Sequence, residues 1–119
     1  MNARNDLWHP VCRVDELPRL GARRWLDGPE PIALFRTADD RVFALLDRCP
    51  HKGGPLSQGI VAGDGVACPL HNQTIGLADG CARAPDAGCT PRFAVQVEAG
   101  RVMLDTDELR HHAIDHVTA

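Results

Sequence analysis

The chain is 119 residues long, 44% apolar and 24% charged, with a net charge of −3. That length accommodates one hydrophobic core and leaves no room for a second substrate domain. The composition excludes a disordered polyelectrolyte, and the slightly acidic balance, with basic residues scattered rather than massed, excludes the electrostatic footprint of a nucleic-acid binder.

In chain order the pattern predicts short strands joined by tight turns. WHPVCRV (8–14) reads as a first strand. DELPRLGARR (15–24) reads as a turn-rich connection, because Pro18 and Gly21 keep it from becoming a helix. PIALFRT and RVFALLD flank the polar turn ADD and read as a hairpin of β-branched, aromatic and aliphatic residues. GIVAGDGVAC is a second hairpin around Gly63, Asp64 and Gly65, where glycine supplies the backbone angles of a tight turn. TIGL follows as a strand, then the turn ADG and a loop of small residues, ARAPDAGCTP. RFAVQVEAGRVML alternates apolar and polar residues as a last hairpin turned at Ala99 and Gly100. The tail, 106–119, forms a short helix or frays. Its His111, His112 and His116 stand at spacings that could face a metal, but polar chain ends are usually solvated.

The longest apolar runs, such as VFALL at 42–46, fall far short of the roughly 18 to 20 residues that cross a bilayer. The opening MNARNDLWHP lacks the apolar segment of a secretory signal, so the cytoplasm is the expected compartment. Five cysteines, an odd number, in such a chain argue against a disulfide scaffold and for thiolate ligation by some of them. Cys12 is expected to be a small buried hydrophobe, and the same reading extends to Cys81 and Cys89.

Chemistry concentrates in two loops. DRCPHKGGPL (47–56) places Cys49 and His51 one residue apart among prolines and glycines, and VACPLHNQ (66–73) places Cys68 and His71 in a similar setting. Two thiolates and two imidazoles suit either a tetrahedral zinc ion or an iron-sulfur cluster. Zinc knuckles usually pair ligands as C-x-x-C or H-x-x-x-H so that both side chains turn onto one ion. A C-x-H pair can instead send one side chain to each of two adjacent irons. Two facing loops then place both cysteines on one iron and both histidines on the other, as in a mixed-ligand [2Fe-2S] centre. Gly53 and Gly54 allow backbone N–H groups to approach the cluster sulfurs. Neutral imidazoles in place of thiolates remove negative charge and raise the reduction potential. Histidines bound through Nδ1 leave Nε2 toward solvent, which predicts an electron exit at the imidazole edges and proton binding that strengthens on reduction. No nucleophile triad, phosphate loop or isolated carboxylate pair marks an autonomous active site, so the chain is expected to carry electrons for another protein.

Over nearly its whole length, from WHPVCRV to GRVML, the sequence resembles the Rieske family. The residues that carry the resemblance are CPHKGGPLSQG, CPLHN and the opening WHPV. Within the family it looks most like the small subunit of assimilatory NAD(P)H-dependent nitrite reductase. The alternative is a Rieske ferredoxin serving a ring-hydroxylating oxygenase, whose second motif commonly reads His-Gly where this chain has His71-Asn72. The resemblance implies an all-β fold: an antiparallel sandwich or barrel spanning 1–119 as a single domain, with an inserted cluster-binding subdomain at about 47–88. It also implies a third loop over the cluster, here ARAPDAG around Pro85, and a large partner subunit carrying flavin and siroheme that reduces nitrite to ammonia, or another redox protein. High-potential members carry a disulfide between the two motifs, where this chain has Gly54 and Leu70. They also use Ser and Tyr hydroxyls near the cluster, where this chain has Gln73 and no tyrosine. Fewer hydrogen bonds to the cluster imply a potential at the low end of the Rieske range, about −150 mV or somewhat below.

Overall fold

The run Ile32-Ala33-Leu34-Phe35 is apolar at every position, and each of the four is at most 1% exposed. A strand alternates its side chains between two faces, so an unbroken apolar run is required only where both faces are covered. The computed structural model describes residues 8–26, 30–50, 54–69, 73–84 and 87–105, and in it this strand lies inside a three-layered, all-β architecture.

The ten strands are β1 (Trp8–Arg13), β2 (Gly21–Trp25), β3 (Ile32–Arg36), β4 (Val42–Leu46), β5 (Ile60–Ala62), β6 (Gly65–Ala67), β7 (Thr74–Gly76), β8 (Arg92–Phe93), β9 (Val95–Glu98) and β10 (Arg101–Asp105). They form three antiparallel sheets ordered β1-β10-β9, β2-β3-β4-β8 and β5-β6-β7. The four-stranded sheet is the middle layer. Ile32, Leu34, Ala44 and Leu46 pack with Leu17, Phe93, Val102 and Leu104 on its β1-β10-β9 side. Ala33, Phe35 and Leu45 pack with Leu56, Val61, Val66, Ile75 and Leu77 on the other. Burial of the Phe35 ring alone contributes about 2 to 3 kcal/mol.

Most turns follow the expected chemistry. The β3–β4 hairpin closes where Thr37 N–H bonds Arg41 O at 2.9 Å, and Asp40 takes φ 66°. Gly63 takes φ 59° between β5 and β6, and Ala99 and Gly100 take φ 52° and 79° between β9 and β10. The last pair matches a hairpin turn that needs two consecutive left-handed residues. Pro10 is tolerated because β1 is a sheet edge, with a bulge between Pro10 and Cys12.

Two segments differ from the sequence expectation. Gly21–Trp25, expected inside a turn-rich connection, is the edge strand β2, in register with β3 from Gly21↔Arg36 to Trp25↔Ile32. Arg23 and Arg24 are exposed while Ala22 and Trp25 pack against opposite core clusters, so tertiary pairing makes a strand that local alternation does not announce. RFAVQVE, expected as one strand, divides at Ala94: β8 pairs with β4 in the middle layer, whereas β9 pairs with β10 in the next. The chain thus changes sheets in mid-run, as sandwich corners do. The tail histidines His111, His112 and His116 lie outside the described residues.

Candidate metal centre

The two motif loops leave equivalent places in the fold. Cys49 follows β4 and Cys68 follows β6, and the side chains are 2% and 1% exposed. Each cysteine N–H donates to the carbonyl five residues later: Cys49 to Gly54 O at 2.7 Å, Cys68 to Gln73 O at 2.7 Å. The two loops are therefore closed by the same hydrogen bond, and a proline that restricts the backbone follows each cysteine.

Both thiols belong to one core cluster, among Leu56, Val61, Val66 and Ile75. Cys49 Sγ lies 3.9 Å from Oε1 of Gln73, the residue that closes the other loop. The loops also touch at their backs: a Cβ on Gly59, at the exit of the first loop, would stand 2.1 Å from the carbonyl oxygen of Ala67, just before Cys68. Only glycine permits that approach. The described donor set is thus two buried sulfurs on twin loops, which fits the thiolate half of a mixed sulfur and nitrogen ligation. His51 and His71, with Lys52, Gly53, Leu70 and Asn72, lie outside the described residues.

The remaining cysteines divide. Cys12 is free and half-buried, and burial pushes its thiol above the ordinary range, consistent with the packing role expected for it. Cys81 and Cys89 are not separate buried hydrophobes: they form a disulfide. They face each other as a β-bridge, and Cys89 is exposed. The reason is topological. After β7 the chain turns at Gly80, returns along β7 through Ile75↔Ala82, and doubles back so that Ala82 N–H meets Gly88 O at 2.8 Å. The two cysteines stand opposite on the small hairpin that results. Their spacing around a Pro-Asp-Ala-Gly segment was the available signal. Pro85, the centre of the expected third loop, lies outside the described residues.

Sequence reasoning also passed over Asp47, two residues before Cys49. Its side chain is fully buried and hydrogen-bonded to Ser57, at the far end of the first loop. A buried aspartate is rare enough to need partners, but which partners is visible only in the fold. On the surface nearby, Arg83 pairs with Asp64 and holds its carboxyl below the ordinary carboxylate value. No helix among the described residues is long and apolar enough to cross a membrane.

A family model described as the Rieske [2Fe-2S] domain matches residues 7–94. Over 96 residues the chain is 33% identical to the ferredoxin subunit of anthranilate 1,2-dioxygenase from Burkholderia cepacia, a match covering 80% of this chain and 88% of that one. It is 36% identical over 105 residues to the ferredoxin subunit of 3-phenylpropionate/cinnamic acid dioxygenase from Photorhabdus laumondii, covering 82% and 93%. Among solved structures, a candidate NADH-dependent nitrite reductase small subunit from Mycobacterium tuberculosis superposes with a TM-score of 0.73 at 28% identity, covering 82% and 92%.

Proposed function

The chain belongs to the Rieske [2Fe-2S] domain family and is an electron-transfer protein that binds a [2Fe-2S] cluster, and from that premise we propose which residues hold the cluster and which partner it serves. Cys49 and Cys68 ligate one iron, and His51 and His71 ligate the other. The twin closure of the two cysteine loops on one buried cluster is the observation that carries this reading. When bound, the cluster supplies a single-electron acceptor and donor. The chain's own residues exclude water from the sulfur side, hold both loops in one geometry, and leave the motif histidines as the route to a partner. Residues 47–88 act as the cluster-binding unit of a single domain spanning 1–119, with no active site of its own.

The partner we propose is the oxygenase component of a ring-hydroxylating system, which places the chain in the role of a small ferredoxin. The support is two relatives above 30% identity, both ferredoxin subunits and both matched over nearly their full length. A second reading, the small subunit of a nitrite reductase whose large subunit carries flavin and siroheme, is favoured by His71-Asn72 in place of His-Gly; the solved-structure likeness is shared by both readings.

Two experiments test these readings. Electron paramagnetic resonance of the dithionite-reduced protein should show the low average g-value of mixed ligation. Cys49→Ser, Cys68→Ser, His51→Ala and His71→Ala should each abolish it, and loading at the wild-type level in any of them removes that residue from the ligand set. For the partner, stimulation of an aromatic-ring oxygenase supports the first reading. Tight co-purification with a flavin and siroheme subunit replaces it with the second.

A further inference from the structure

The first motif loop begins at the end of β4 and ends at the 3-10 turn Leu56–Gln58, and one carboxylate joins these two points. Asp47 Oδ1 accepts the backbone N–H of Ser57 at 2.7 Å, and Oδ2 accepts the Ser57 hydroxyl at 2.7 Å. Oδ2 also meets Arg24 Nε, on the edge strand β2, at 2.7 Å. The Asp47 side chain is 0% exposed, while Arg24 remains 47% exposed and reaches inward. Asp47 N–H itself donates to Pro31 O at 3.0 Å, which fixes the residue from the β3 side. The carboxylate is therefore bound by three donors from two separate segments.

Such an arrangement is more than a satisfied buried charge. Removing a charge from water is unfavourable unless its lone pairs are met, and charge-assisted hydrogen bonds are shorter and stronger than neutral ones. The nine residues between positions 47 and 57, with glycines near the centre, have many conformations of similar energy in a free chain. Pinning residue 47 to residue 57 fixes the two ends of the segment that carries Cys49 and so removes much of that freedom. Val61 and Val66 supply general burial nearby, but an apolar contact has no preferred direction. The Asp47 carboxylate has one.

We propose that Asp47, with Ser57 and Arg24 as its partners, is the positioning residue that locks the first ligand loop and so governs how long the protein retains its cluster. The inference rests on the ligand set proposed above. Ser57 presents both a backbone and a side-chain donor to one carboxylate, so the hydroxyl can be removed while the rest of the latch stays.

The test uses the full-length, cluster-loaded protein and follows iron transfer to an added chelator, well below the unfolding temperature. Asp47→Asn should release iron about tenfold faster or more, since a charge-assisted bond to Arg24 is lost and the amide opposes one of its donors. Ser57→Ala should release it faster to a smaller extent, and Ser57→Thr, which keeps the hydroxyl, should restore the wild-type rate. The visible and paramagnetic spectra of Asp47→Asn should broaden as the ligand geometry spreads. Two controls isolate the effect. Asp64→Asn removes the same charge from an exposed turn and should leave the rate unchanged. Val102→Ala weakens the core on the far side of the middle sheet and should lower thermal stability with little change in release. Wild-type release from both Asp47→Asn and Ser57→Ala overturns the proposal. So does release that tracks global stability equally in Asp47→Asn and Val102→Ala. Failure of the ligand reading is separate: it appears as undiminished loading of Cys49→Ser or Cys68→Ser, whatever Asp47 does.

Discussion

Replacing Cys81 and Cys89 together by serine removes a covalent tie while leaving the hairpin around it in place. Ala82 N–H to Gly88 O and Thr90 N–H to Gly80 O, both 2.8 Å, still hold the two arms. Cys89 is exposed and Cys81 half-buried, so a serine hydroxyl at either position is not stranded in the core. The loss therefore acts chiefly through the unfolded chain, which regains the freedom that the cross-link denied it. The bond spans a sequence separation of 8. For a loop of that length the chain-entropy relation gives about 2.5 kcal/mol at 25 °C. With a urea dependence of about 1 to 3 kcal/mol per molar, the unfolding midpoint should fall by about 0.8 to 2.5 M. Urea titration of the full chain, followed by the combined fluorescence of Trp8 in β1 and Trp25 in β2, measures the shift. Reductant should move the wild-type midpoint by the same amount and leave the double variant where it is. A double variant that unfolds within about 0.5 kcal/mol of wild type, or a reductant that acts on both alike, refutes the entropic argument.

Further outcomes are expected elsewhere. Ala99→Asn should raise stability by about 1 kcal/mol, because Ala99 sits at φ 52° ahead of Gly100 in a turn that favours Asn-Gly; an unchanged or lower melting temperature contradicts this. Gly80→Ala should cost about 2 to 3 kcal/mol in chemical denaturation, since Gly80 holds φ 72° and a Cβ there would lie 2.3 Å from Thr90 O. The hydrogen bond from Thr37 to Asp39, that from Arg36 to Asp40 and that from Arg83 to Asp64 hold all three carboxyls below the ordinary carboxylate value. Their contribution is complete above that value and disappears as pH falls through the lowered ones, so an Asn triple variant should show a flatter acid limb in a stability-against-pH series. The cluster midpoint should lie at about −150 mV or somewhat below, and a clearly positive value by redox titration rejects the reasoning from Gln73 and the absent tyrosine.

The linear pattern alone disclosed the all-β class, the turns at Gly63 and at Ala99-Gly100, and the two loops whose cysteines, Cys49 and Cys68, share one buried group. These are local matters. Turn geometry depends on a few consecutive residues, and a ligand motif must keep its spacing to reach a metal, so both leave a trace in the linear pattern. Other features depended on what the chain meets after folding. Gly21–Trp25 became a strand because β3 offered an unpaired edge, and RFAVQVE divided at Ala94 because its two halves found partners in different sheets. Cys81 and Cys89 paired because the return along β7 set them opposite each other. Asp47 met Ser57 and Arg24 across three elements. In each case the deciding energy is a contact between residues distant in sequence or brought together by a turn of unpredictable course, and such contacts exist only once the layers have assembled.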